Sequence, residues 1–158
     1  MSDKSLSQEK INNLILLYKK GLIKEALVEA EQLIENNPNS FFLHNIHGMI
    51  NINLKKWNKS IESLSKAIEI KQDYAEAHNN LGVALNNLAH LEKAIESYLN
   101  AIKFKPDYAN AHNNLGSVFN DLGRWEEALE SYSKALEYNH EHNEAYENLI
   151  KLLTFYRP

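Results

Sequence analysis

The sequence repeats itself every 34 residues. Leu81-Gly82 and Leu115-Gly116 stand one such step apart, as do Ala94 and Ala128, Tyr98 and Tyr132, and Ala101 and Ala135. His78-Asn79-Asn80-Leu81-Gly82 returns unchanged as His112-Asn113-Asn114-Leu115-Gly116, and Lys105-Pro106-Asp107-Tyr108 echoes Lys71-Gln72-Asp73-Tyr74. So short a unit cannot bury an apolar face alone, and must stack on copies of itself. Counting outward from Ala75 divides the chain into four full units, 7–40, 41–74, 75–108 and 109–142, with a partial fifth at 143–158. A leading segment, 1–6, is expected to be flexible.

Within the third unit His78, Leu81, Gly82, Leu85 and Leu88 recur at steps of three and four, and Leu91, Ala94, Ile95, Tyr98, Ala101 and Ile102 do the same. Each unit therefore reads as two amphipathic helices. The breaks between them are short (Gly21, Ala89-His90, Gly123-Arg124), so the two helices must fold back antiparallel. Pro38 and Pro106 fall where a second helix has already stopped, and Asp73 and Asp107 read as N-cap acceptors for the next first helix. The spacing predicts helices near 7–20, 23–36, 41–54, 57–70, 75–88, 91–104, 109–122, 125–138 and 143–156. Gly48, Gly82 and Gly116 are expected to face Ala26, Ala94 and Ala128 where the helices cross, with Ser60 the small substitute in the second unit. The fold class is all-α: a solenoid of four antiparallel helix pairs and one additional helix.

The Leu-Gly pair, the small residue after the turn, the aromatic four places on, the next Ala and the Pro near the end of the unit together resemble the tetratricopeptide repeat. The likeness covers residues 7–158 and is sharpest in the third and fourth units. It implies a right-handed superhelix whose first helices line a concave binding surface. Asn13 and Leu14 in the first unit, and His47 and Asn51 in the second, depart from the pattern, and looser packing is expected at that end. The His-Asn-Asn-Leu-Gly wording is also similar to the tetratricopeptide regions of O-GlcNAc transferases.

A net charge of −4 and a pI near 6.0 supply no basic footprint, which argues against nucleic acid or an anionic membrane as partner. The chain has no cysteine, which excludes disulfides and thiolate metal sites, and Met1-Ser2-Asp3-Lys4 does not open a signal peptide. A cytoplasmic protein is expected. His44, His78 and His112 repeat with the period, but equivalent residues on stacked helices lie roughly 10 Å apart, whereas ligands of one metal ion lie near 2 Å from it. They read as core residues, and His140-Glu141-His142 reads as a solvated turn. With no phosphate loop, no Ser/His/Asp set and no carboxylate pair, neither a cofactor nor catalysis is expected.

The side of the first helices opposite the core carries Gln8, Asn12, Ile15 and Lys19; then Phe42, Ile46, Met49 and Asn53; then Glu76, Asn80, Val83 and Asn87; then Asn110, Asn114, Ser117 and Asp121; then Glu144, Asn148 and Lys151. The resemblance makes this stripe the peptide groove. Asn12, Asn80, Asn114 and Asn148 share one place in it, with Ile46 the exception. A row of amides can bond the backbone of an extended peptide whatever its side chains, as in the asparagine ladder of O-GlcNAc transferases; the other reading is that these amides tie helices to the neighbouring turn. Phe42, Ile46 and Met49, with Ile15 and Ile52 beside them, form an apolar patch suited to anchoring a ligand. Lys19 and Lys151 are far apart among Glu76, Asp121, Glu144 and Glu147, unlike the successive basic residues of tetratricopeptide domains that grip acidic carboxyl-terminal tails. The expected function is a non-catalytic scaffold binding an extended peptide or partner protein. Two alternatives stand beside it. One is the substrate-recognition region of a longer glycosyl-, sulfo- or methyltransferase. The other is a module that self-associates through 143–156, where Leu149, Leu152 and Leu153 lack a partner helix and Ile150 stands at the glycine place.

Overall fold

The computed structural model describes residues 8–155. Among them nine α-helices follow in order: α1 (Gln8–Lys19), α2 (Ile23–Asn36), α3 (Phe41–Asn53), α4 (Trp57–Ile70), α5 (Ala75–Asn87), α6 (Leu91–Phe104), α7 (Ala109–Asp121), α8 (Trp125–Tyr138) and α9 (Asn143–Phe155). Each lies within one residue of the place the apolar spacing gives it; the expected ends at 7 and 156 and the segment 1–6 fall outside the described residues. Each first helix packs on its own second helix, and each second helix packs on the next first helix. The first helices α3, α5, α7 and α9 also touch one another in succession, while successive second helices make no comparable contact. In a curved stack the inner elements are the closer ones, so the first helices form the inner face.

Every turn inside a unit passes through the left-handed region, at Gly21 (φ 73°), Lys55 (φ 56°), Ala89 (φ 58°) and Gly123 (φ 71°). A side chain there costs roughly 1–2 kcal/mol. Ala89→Gly is therefore expected to raise stability by about 0.5–1 kcal/mol, once the greater freedom of glycine in the unfolded chain is subtracted. Gly123→Ala should lose a similar amount, both read from denaturant unfolding.

The turns between units are closed differently from the sequence expectation. Tyr74 and Tyr108, not Asp73 and Asp107, occupy the N-cap positions, and neither cap makes a side-chain bond. The backbone closes the turn instead, Tyr74 N–H donating to Lys71 O at 3.3 Å and Tyr108 N–H to Lys105 O at 3.1 Å. The periodic histidines fasten the same turn. Nε2–H of His44, His78 and His112 donates to the carbonyls of Pro38, Gln72 and Pro106 at 2.8, 2.9 and 2.9 Å. The rings of His78 and His112 pack on Phe104 and Tyr138, with centroids 5.4 Å apart in each case.

The close helix crossings rest on a large side chain set against a glycine, which corrects the expected glycine–alanine pairing. A Cβ on Gly48 would stand 2.5 Å from Leu64 Cγ, one on Gly82 2.6 Å from Tyr98 Cε1, and one on Gly116 2.8 Å from Tyr132 Cδ1. These partners lie one turn beyond Ser60, Ala94 and Ala128. The first repeat reverses the sizes: Leu14 takes the glycine place and Ala30 the place of Tyr98, and both are fully buried. Leu14 is thus buried, but α1 and α2 approach each other less closely than the helices of the later pairs, in keeping with the looser packing expected at that end.

Candidate binding groove

The inner stripe is half-buried at its middle and exposed at its ends. Asn80, Val83, Asn114, Ser117 and Asn148 are half-buried, whereas Asn12, Asn53, Asn87, Asp121 and Lys151 are exposed. The asparagines at the repeated place are not free amides. Asn80, Asn114 and Asn148 donate from Nδ2 to Oδ1 of Asn45, Asn79 and Asn113 at 3.0, 3.0 and 3.1 Å, each partner lying 35 residues back on the preceding first helix. Those partners are buried and need a donor. The pairing also accounts for Ile46, because the residue 35 places before it is Ile11, and the amide pair is replaced by an aliphatic residue on both sides. Asn12, whose counterpart would precede the chain, accepts from Gln8 Nε2 at 3.0 Å. What Asn80, Asn114 and Asn148 keep for the groove is the Oδ1 acceptor, which has no donor among the described residues.

Other polar stripe residues are also engaged. Asn87 Nδ2 donates to Val83 O at 2.9 Å, and Asn53 Nδ2 to Met49 O at 3.1 Å and to Tyr18 Oη at 2.8 Å. Ser117 Oγ donates to Asn113 O at 3.2 Å and accepts from the Tyr132 hydroxyl at 3.4 Å. Burial foremost, then the Asp121 and Glu144 carboxylates against the opposing Ser117 bond, raises the Tyr132 phenol above its ordinary range, so it remains a donor. Glu76 meets Lys105 at 3.4 Å in half-buried positions, and Lys151 meets Glu147 at 3.9 Å in exposed ones.

The apolar patch is a hollow of about 290 Å³ between α1 and α3, lined by Ile15, Tyr18, Lys19, Phe42, Asn45, Ile46 and Met49. Ile52 does not reach it and packs instead against the cluster of Leu64, Ala67 and Ala77. Tyr18 was not on the sequence stripe, although it follows Ile15 by three. A second hollow, of about 340 Å³, lies at the other end between Asn120, Trp125, Tyr132, Asn148, Lys151, Leu152 and Phe155. Phe155 continues the stripe four places past Lys151, where α5 and α7 have Asn87 and Asp121, and is 88% exposed. On the outer side of α9, Leu152 is buried and Leu149 packs on the main core, so the expectation that both stand uncovered is corrected; Tyr146, Ile150 and Leu153 are the exposed ones.

The family model described as "TPR repeat" matches residues 50–88 and 90–120, and the one described as "Tetratricopeptide repeat" matches 109–142. The chain belongs to the tetratricopeptide repeat family. Among solved structures, a thermophilic TPR protein of Thermus thermophilus superposes with a TM-score of 0.84 at 22% identity, over 93% of this chain and 81% of that one. MamA superposes at 0.77 with 25% identity, over 87% and 81% of the two chains. The first TPR of Spaghetti (RPAP3), bound to the HSP90 peptide SRMEEVD, gives 0.69 at 20% identity, over 72% and 90%. No curated protein matches the sequence. In this tetratricopeptide array no described helix is long and apolar enough to cross a membrane. No group of three or more described His, Asp or Glu side chains is placed to hold a metal ion.

Proposed function

We propose that this tetratricopeptide array is a non-catalytic scaffold holding an extended peptide of a partner protein along its inner face. An apolar ligand side chain would sit between Ile15, Tyr18, Phe42, Ile46 and Met49. The hollow of about 290 Å³ carries the reading, because it is apolar where later repeats are mostly polar: Glu76, Asn110 and Glu144 replace Phe42, and Val83, Ser117 and Lys151 replace Met49. Apolar surface left open to water on a soluble protein is a contact surface, and covering it gains about 25 cal/mol per Å². Beyond it the Oδ1 atoms of Asn80, Asn114 and Asn148 accept backbone N–H groups, which tolerates many ligand sequences. Val83 and Ser117 form the floor between them, Asn87 and Asp121 one edge, Lys151 the far end and Asn12 the near one.

The Spaghetti array was solved with an acidic peptide. Here Lys19 and Lys151 stand at opposite ends of the stripe with Glu76, Asp121 and Glu144 between them, so the proposed ligand is not an acidic carboxyl-terminal tail. The reading includes a cytoplasmic setting and neither nucleic acid nor membrane as partner, in keeping with the net charge of −4. The His-Asn-Asn-Leu-Gly likeness to O-GlcNAc transferase repeats favours a second version, in which the same groove presents substrates to a transferase. Tyr146, Ile150 and Leu153 on α9 support self-association, which sedimentation of the parent and of Leu153→Glu would test: concentration-independent monomers for both would remove it.

Selection from a random dodecapeptide library tests the main reading. The parent should enrich peptides with one recurrent Leu, Ile, Met or Phe in otherwise variable sequence. Met49→Glu should weaken their binding by about tenfold or more. Enrichment that is equal in parent and variant would put the ligand elsewhere.

A further inference from the structure

Antiparallel helix pairs stacked in one register place every turn within a unit on one edge of the array and every turn between units on the other. The first of these edges is basic in its first two repeats. Lys19, Lys20 and Lys24 surround the turn from α1 to α2, and Lys55, Lys56 and Lys59 the turn from α3 to α4, with Glu25 the one acid among them. The Asn53 amide donates to the Tyr18 hydroxyl at 2.8 Å, which holds the ends of α1 and α3, and with them the two lysine turns, side by side. All six lysines are exposed, and none forms an ion pair among the described residues.

Most of this charge does not serve the helices. Lys19 and Lys20 suit the carboxyl-terminal end of α1, but Lys24, Lys56 and Lys59 stand at the start of α2 and α4, where the helix dipole disfavours a cation. The same first turn carries Glu92 in α6 and Glu126 and Glu127 in α8, and Arg124 beside it is paired with Glu127. Helix α4 has no acid there. Six lysines against one glutamate leave the patch at +5; on a chain of net charge −4 the remainder therefore carries −9. Beside the second lysine turn lies a hollow of about 370 Å³ lined by Lys55, Lys56, Trp57, Asn58, Lys59 and Leu88. Trp57 and Leu88 are half-buried and the other four are exposed, which gives the hollow an apolar floor and a basic rim.

These features decide the kind of partner. A nucleic acid or a bilayer would bring the acidic remainder against an extended anionic surface, and a flat bilayer cannot fill a hollow. A short acidic stretch of protein meets the lysines alone and can place one side chain on the apolar floor. We propose that this edge docks an acidic segment of a partner protein, with carboxylates on the lysines of both turns and one apolar side chain against Trp57 and Leu88. The patch shares only Lys19 with the inner hollow and is independent of the groove.

A fluorescein-labelled dodecapeptide of Asp and Glu with one central Leu, titrated into the whole chain and read by fluorescence anisotropy, tests this. Saturable binding that weakens as salt rises is expected. Lys55→Glu, Lys56→Glu and Lys59→Glu together should weaken it by about tenfold or more. Lys66→Glu, Lys103→Glu and Lys134→Glu make the same change in net charge toward the other ends of α4, α6 and α8, and should leave it within about twofold. A peptide with Ser in place of Leu should bind more weakly than the original. The first triple variant should also unfold at higher urea than the parent, since anions replace cations at the start of α4. No saturable binding at low salt, equal losses in the two triple variants, an unchanged affinity for the Ser peptide, or a lower urea midpoint in the first variant would overturn the proposal. So would tighter capture of phosphatidylserine vesicles, or of a thymidine dodecamer, than of the acidic peptide.

Discussion

Gly82→Leu is expected to lower the stability of the array by about 3 kcal/mol, and a second change, Tyr98→Ala, to restore most of that loss. Any side chain at Gly82 meets the Tyr98 ring, whose Cε1, Cδ1 and Cζ would all lie within 2.8 Å of the new Cβ. The ring is 1% exposed and cannot step aside. Removing it alone leaves a cavity and costs about 3–5 kcal/mol. The two changes together reproduce the reversed pairing of Leu14 and Ala30 that the first repeat already contains, so their effects should couple by about 2–3 kcal/mol in a double-mutant cycle read by urea unfolding. Additive losses would show that the two positions do not share one volume.

Asn51→Leu is expected to stabilise the protein by about 1–3 kcal/mol, because it removes a buried acceptor with no partner and supplies the residue type found at Leu85. Thermal unfolding should move up by about 2–4 °C for each kcal/mol. Asn113→Leu makes the opposite prediction from almost the same burial. Asn113 is 1% exposed but accepts from Asn148, so its loss strands that donor and costs about 1–2 kcal/mol. If both variants shift the midpoint the same way, hydrogen-bond satisfaction is not what distinguishes the two asparagines.

The helices were legible because four copies of the unit and a partial fifth fix the register of every apolar position, and one error in spacing would have appeared in each of them. The contacts across the crossings were less so. Small residues suggested small partners, yet a helix offers its neighbour positions a full turn apart, and the glycines answer Leu64, Tyr98 and Tyr132 rather than the alanines. Asp73 and Asp107 look like caps in isolation, but the histidine at the third position after the helix start, with a backbone turn, already fastens that loop. The asparagine row was visible in the sequence, while its pairing 35 residues back, one place off the repeat, needed the helix positions. Tyr18 and Phe155 could have been found, since both continue the stripe by its own steps of three and four.

The most direct test of the groove is amide and methyl NMR of the whole chain titrated with a peptide enriched by the parent protein. The account predicts shifts that follow the inner face, from Ile15 and Met49 through Asn80 and Asn114 to Asn148, with intermolecular contacts from an apolar ligand side chain to Met49. Shifts confined to the outer helices α2, α4, α6 and α8, with the inner face silent, would contradict it.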